Sequence, residues 1–463
     1  MLKRGQPVEE RPTRPGAVGV WLTTADQEHL LARQPDVHFG GVALGGITVT
    51  IDDRHELQPM VGFGASFTES AAVLVHDRLE AAARSEVMER LFRPDRGIGL
   101  SLLRQPMGAT DFALGNYTYD DVAEPDPELT AFSVARDDDA VVPLIVEALH
   151  LNPRLRVMAT PWSAPAWMKS SRSLIGGTLA PEAYGTYARY FVRFVEAYAA
   201  RGIPVWAVTA QNEPHFSPAG YPGMVLTPVQ EAEFVGRHLG PALAAAGTGT
   251  RILAFDGNWD GTDHALQVLR DPVAGPYLAG VAFHCYAGDP TCQDEVRERH
   301  PDKAILVTEC SGGGWSTDFA ANLRWGVHTL IVEAVRHGAS AVVLWNMALD
   351  QNWGPTNGGC QDCRGVVTVD TATGRVEYNV EYFVLGHASK FLAPGAVHLP
   401  SATDGDTGIE SVAFRNSDGT HVLIALNSAG EAQTFGVTCS ARSFAYHLPA
   451  GAVATFCWAE GPP

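Results

Sequence analysis

Between residues 61 and 345 the chain alternates two kinds of segment: short apolar runs, and longer stretches whose apolar residues recur three and four apart. Eight runs end in polar clusters: 61–67 (VGFGASF), 98–104 (IGLSLLR), 156–162 (RVMATPW), 205–212 (VWAVTAQN), 251–255 (RILAF), 281–286 (VAFHCY), 304–309 (AILVTE) and 341–345 (AVVLW). Stretches such as 183–200 and 322–337 carry the period of an amphipathic helix. Strands alternating with helices give βαβ units and a parallel sheet, and eight of them predict closure into a (β/α)₈ TIM barrel. The strands read as continuously apolar because barrel strands are covered on both faces.

The flanks follow another rule. After about Pro394 the pattern becomes short alternating runs, SVAFR (411–415), HVLIALN (421–427) and AVATFCW (452–458), separated by the turn signals NSDG (416–419) and NSAG (427–430). Near the other end, GGITVTI (45–51) can pair with the same strands. The expected architecture is an α/β barrel over 52–393 with an appended β-sandwich domain, to which residues 1–51 and 394–463 both contribute.

Charge narrows the partners. With 33 basic and 52 acidic residues, the formal net charge is −19, which repels phosphate backbones and anionic lipid headgroups and favours a neutral substrate. No run approaches 18 consecutive apolar residues, so no membrane insertion is expected. The first residues, MLKRGQPVEERPTRPG, have the charges of an export signal without its apolar core. That leaves a cytoplasmic protein, or a secreted one whose signal lies outside this chain. Seven cysteines include a C-x-x-C at Cys360 and Cys363, read as a loop-pinning disulfide or as free thiols rather than zinc, since two further ligands are missing. Cys439 and Cys457 are candidates to face each other on neighbouring strands.

In such a barrel the chemistry sits at the C-terminal ends of the strands. The fourth run leads into Gln211-Asn212-Glu213-Pro214, and the seventh ends in Thr308-Glu309-Cys310. A single glutamate after a strand is most often a helix-terminal or surface charge. Two at one barrel mouth suit glycoside hydrolysis, where one carboxylate attacks and the other serves as acid and then base.

A wider set of segments follows the same order: GFGASFTESAA (62–72), LLRQPMGATDF (102–112), ATPWSAPAWMK (159–169), AQNEP (210–214), AFHCYAGD (282–289), TECSGG (308–313) and LWNMALDQNWGP (344–355). They are spread over about 300 residues, and they resemble glycoside hydrolase family 30 of clan A, which includes glucosylceramidases and β-1,6-glucanases. The resemblance implies a retaining β-glycosidase with catalytic residues Glu213 (acid/base) and Glu309 (nucleophile). It further implies supporting roles for Arg104 and His284, and substrate contacts from Asp111, Trp162, Asn212, Tyr286 and Trp345. On this reading Glu213 is held protonated near the working pH while Arg104 keeps Glu309 ionised. The reaction needs no cofactor and no metal.

Two departures bear on substrate. The glucosylceramidases of this type carry tryptophan where this chain has Cys285, and the segment NGGCQDCRGV (357–366) resembles the β-1,6-glucanase branch. A glucose-containing β-glycan is therefore expected ahead of ceramide-linked glucose, with glucosylceramide, β-xylosides and β-fucosides as the alternatives. Of ten tryptophans, Trp206 and Trp325 are expected to pack the core, and Trp315 and Trp353 in Gly-rich loops are candidates to stack on sugar. Two other classes compete. A metal-dependent hydrolase finds no His-x-His, with only His215 and His284 near strand ends, and a catalytically dead carbohydrate-binding barrel would be expected to lack one carboxylate.

Overall fold

A computed structural model describes residues 16–40, 46–405 and 407–459. The basic N-terminal stretch, residues 1–15, lies outside them, as does Gly45. Eight parallel strands close a barrel in chain order: Gly62–Ser66, Leu102–Pro106, Arg156–Thr160, Val205–Thr209, Arg251–Asn258, Leu278–His284, Ala304–Glu309 and Ala339–Leu344. The last pairs with the first, Leu344 opposite Ala65. The second strand begins at Leu102 rather than Ile98, because Gly99 adopts a left-handed conformation (φ +63°) that a strand does not accommodate.

Inside the barrel, Leu102, Met158, Ala207, Leu253, Ala282, Leu306 and Ala341 form one buried apolar cluster toward the strand starts. Side chains two residues further along a strand share its face, so the same face delivers Arg104, Thr160, Thr209, His284 and Thr308 one layer higher. Apolar layers below thus set a polar layer at the mouth.

The two chain ends build a sandwich beside the barrel. One sheet runs Val397–Leu399, Ile409–Arg415, His421–Asn427, Val453–Trp458, Ala17–Thr23, Ala32–His38. The other runs Ser401–Thr403, Ile47–Ile51, Gln433–Cys439, Arg442–Leu448. Val18, Val20, Val49, Leu423, Val437, Phe444 and Phe456 fill the space between them. Cys439 and Cys457 belong to different sheets and do not sit on neighbouring strands, contrary to expectation. Cys360 and Cys363 do form a disulfide.

Candidate active site

Strict alternation would not aim Glu309 into the mouth, since Thr308 already faces inward. A register shift between Val307 and Glu309 against the sixth strand breaks the alternation and sets Glu309 opposite His284. The fifth strand does the same between Phe255 and Gly257, where Phe255 (φ 73°) and Asp256 (φ 80°) are both left-handed. That bulge places the Asp256 carboxylate in the polar layer. Glu213 (φ 44°) and Asn346 (φ 65°) are left-handed too, so the backbone strain of this region collects at the strand ends. The Glu213 conformation is tied down by its N–H, which donates to the Asp256 carbonyl at 2.8 Å.

Arg104, fully buried, organises the layer. Its Nη1 donates to Glu309 Oε2 at 2.5 Å, and Nη2 donates to Asn212 Oδ1 at 2.6 Å and to Asp256 Oδ2 at 3.0 Å. Its guanidinium lies 4.9 Å from the Trp162 ring centre and 5.5 Å from that of Trp345, and the two indoles stack on each other at 5.0 Å. The Tyr286 hydroxyl donates to Glu309 Oε1 at 3.0 Å. His284 Nδ1 stands 3.5 Å from Glu213 Oε1 and 3.9 Å from Glu309 Oε1, while Nε2 is 3.0 Å from Asp256 Oδ1. Since one imidazole nitrogen lies within 4 Å of both glutamates, their Oε1 atoms are no further apart than the sum of those distances. That limit accommodates the roughly 5–5.5 Å spacing of retaining glycosidases.

Asp111 is buried under the 357–366 loop. The Asn357 N–H donates to its carbonyl at 2.6 Å, and a Cβ on Gly359 would come 2.1 Å from Asp111 Cβ, so only glycine lets the 357–366 loop lie there. Burial, reinforced by the charges of Glu309 and Glu213, pushes the Asp111 carboxyl up to about 8.

Sequence comparison places this geometry in a family. Residues 60–392 match the glycosyl hydrolase family 30 TIM-barrel domain, and residues 395–456 match the family 30 beta sandwich domain. The chain belongs to glycosyl hydrolase family 30. It is 33% identical over 440 residues to the endo-1,6-beta-D-glucanase neg1 of Aspergillus fumigatus, covering 88% of this chain and 87% of that protein. It is also 30% identical to the mouse lysosomal acid glucosylceramidase over 414 residues, 83% of this chain and 78% of the relative. Among solved structures, the endo-beta1,6-glucanase BT3312 superimposes with a TM-score of 0.91 at 31% identity, covering 96% of this chain and all of the other.

Within this family 30 site all nine residues singled out from the sequence gather at one barrel mouth. Asp256 was not among them. It accepts hydrogen bonds from Arg104, Thr160, Thr209 and Thr308 besides facing His284, and although burial opposes ionisation, Arg104 and His284 hold its carboxyl far below the ordinary range. The expectation for Glu213 is corrected. Burial pushes its carboxyl up, but the His284 ring, with help from His215 and Arg104, outweighs this and lowers it. For His284, burial opposes the charge, yet Glu309, Asp256 and Glu213 raise its value to about 9.

The imidazolium has a consequence for stability. Its folded value lies above the ordinary 6.5, so its contribution is complete below about pH 6.5 and is lost as pH rises through about 9. Urea unfolding is expected to show a loss on the order of 3 kcal/mol between pH 6 and pH 10, and His284→Gln should remove that part of the slope. An unchanged slope would contradict the charge assigned to His284.

A second disulfide joins Cys285 to Cys310, linking the ends of the sixth and seventh strands beside Tyr286 and Glu309. The cysteines are 25 residues apart in sequence, and a cross-link of that span stabilises by about 3 kcal/mol through restriction of the unfolded chain. Replacing both by alanine should lower the urea midpoint accordingly, and an unaltered midpoint would refute the estimate.

One tryptophan departs from expectation. Trp206 packs half-buried against the apolar cluster at the strand starts as expected, flanked by Arg156 and Arg251 at 5.3 and 5.2 Å. Trp315 and Trp353 are exposed; Trp315 lies against Gly313, and Trp353 against Gly314, where a Cβ would crowd each indole. Trp325 is not a core residue. It is 46% exposed, because the buried stripe of its helix runs through Leu323, Gly326, Val327 and Leu330.

Proposed function

We propose that this glycoside hydrolase cleaves β-1,6-linked glucan with retention, using Glu309 as nucleophile and Glu213 as acid/base. The observation that carries the reading is the shared imidazole, which sets the two glutamates on facing strand ends within range of one glycosidic bond. Glu309 attacks the anomeric carbon, with one oxygen paired to Arg104 and the other bonded by Tyr286. Glu213 protonates the departing oxygen and afterwards takes a proton from the water that releases the sugar.

Asn212, oriented by Arg104, meets the sugar 2-hydroxyl, and Asp111, Trp162 and Trp345 receive the remaining hydroxyls and the ring face. The choice of β-1,6-glucan rests on the endo-1,6-β-glucanase relatives, on Cys285 and on the disulfide-pinned 357–366 loop against Asp111. A substrate screen tests it. Reducing ends should appear from β-1,6-glucan at rates well above those from β-xylosides, β-fucosides and glucosylceramide. Preference for glucosylceramide, or inactivity on every β-glucoside, would overturn the assignment.

A further inference from the structure

Outside the barrel, the sandwich brings three metal-ligating side chains together from three separate segments. Asp53 follows the strand Ile47–Ile51, His421 opens the strand His421–Asn427, and Cys439 ends the strand Gln433–Cys439. Their donor atoms, a carboxylate oxygen, an imidazole nitrogen and the thiol sulfur, all lie within 4.8 Å of one another. His421 and Cys439 are buried, and Asp53 is half-buried. We propose that Asp53, His421 and Cys439 form a structural zinc site that fastens the two sheets of the sandwich together.

The donor set selects the metal. Thiolate and imidazole suit a borderline ion such as zinc, whereas calcium and magnesium take oxygen ligands. In a tetrahedral zinc site neighbouring ligand atoms stand about 3.4–3.6 Å apart. Cys439 Sγ is 3.8 Å from Asp53 Oδ2, so that edge is nearly formed. The 4.8 Å limit leaves side-chain movement of about 1.4 Å or less to complete the others. The surroundings hold the ligands in place. The Ser440 hydroxyl donates to Asp53 Oδ2, and the Trp458 ring stacks on the His421 imidazole at 5.5 Å. Arg415 donates to the Asp53 carbonyl at 2.9 Å and pairs with Glu56, so its charge is matched there. Water takes the fourth position on the side of Asp53, the ligand open to solvent. As the zinc–sulfur bond forms, the Cys439 thiol gives its proton to solvent. His421 belongs to one sheet and Cys439 to the other, while Asp53 lies on the segment leading into the first barrel strand. The ion therefore ties both sheets to the chain entering the barrel.

The test treats the full chain with a chelator, dialyses it against micromolar zinc, and counts bound metal by mass spectrometry. Wild type should hold about one zinc per chain. Cys439→Ser and His421→Gln should lose at least about 100-fold in zinc affinity, since even outer-shell partners contribute up to that factor. Cys292→Ser, which alters a thiol outside the cluster, should bind zinc as wild type does. Zinc should also raise the Tm of wild type and leave those of Cys439→Ser and His421→Gln unchanged. Cobalt bound to wild type in place of zinc should show a near-ultraviolet thiolate charge-transfer band, a readout that does not depend on how the variants fold. Wild type that takes up no zinc, cobalt bound without that band, or wild-type zinc affinity in Cys439→Ser would each overturn the site.

Discussion

Glu309→Gln is expected to lower kcat by about 10⁴-fold or more on every substrate, whatever the leaving group. An amide cannot form the glycosyl ester, so no improvement of the departing group compensates. The change is nearly isosteric, but it removes the negative charge and leaves one carbonyl oxygen where two carboxylate oxygens met Arg104 Nη1, at 2.5 Å, and the Tyr286 hydroxyl. Arg104 keeps Asp256 as a buried partner at 3.0 Å, so its cation is not stranded and the fold should survive. Substrate binding should therefore persist, and the variant should bind oligosaccharide with an affinity near the wild-type KM. Turnover within tenfold of wild type, assayed with an aryl β-glucoside, would remove Glu309 from the reaction.

The eight strands and the helices between them were legible because apolar runs and helical periods alternate without ambiguity, and Glu213 and Glu309 because each follows a run. Asp256 was missed for a local reason. The apolar run ends at Phe255, whereas the strand continues through a bulge to Asn258, and a bulge leaves no mark in hydrophobic pattern. Trp325 was misplaced although the sequence carried the answer: Leu323, Gly326, Val327 and Leu330 form the helical stripe, and 325 falls outside it. The protonation of the Glu213–His284 pair was beyond sequence reading. It depends on how three acids surround one imidazole at 3.0–3.9 Å, which only the closed barrel sets. The Cys285–Cys310 link was invisible likewise, since it joins two loops whose proximity follows from the strand pairing.

Glu213→Gln separates the two half-reactions. An aryl glucoside with a good leaving group needs little protonation, so glycosylation of Glu309 should proceed at a rate near that of wild type. Deglycosylation lacks its base and becomes limiting, so kcat should drop by about 10²–10⁴-fold while KM falls as the glycosyl-enzyme accumulates. The alkaline limb of the wild-type kcat/KM profile, which belongs to the Glu213–His284 pair, should flatten. Azide needs no deprotonation and should restore turnover by attacking the glycosyl-enzyme from the face that water normally takes. The most direct measurement is the anomeric configuration of that azide product, read by nuclear magnetic resonance. Two displacements at one carbon predict a β-glycosyl azide. An α-glycosyl azide, or no rescue by azide at all, would contradict the assignment of Glu213 and Glu309.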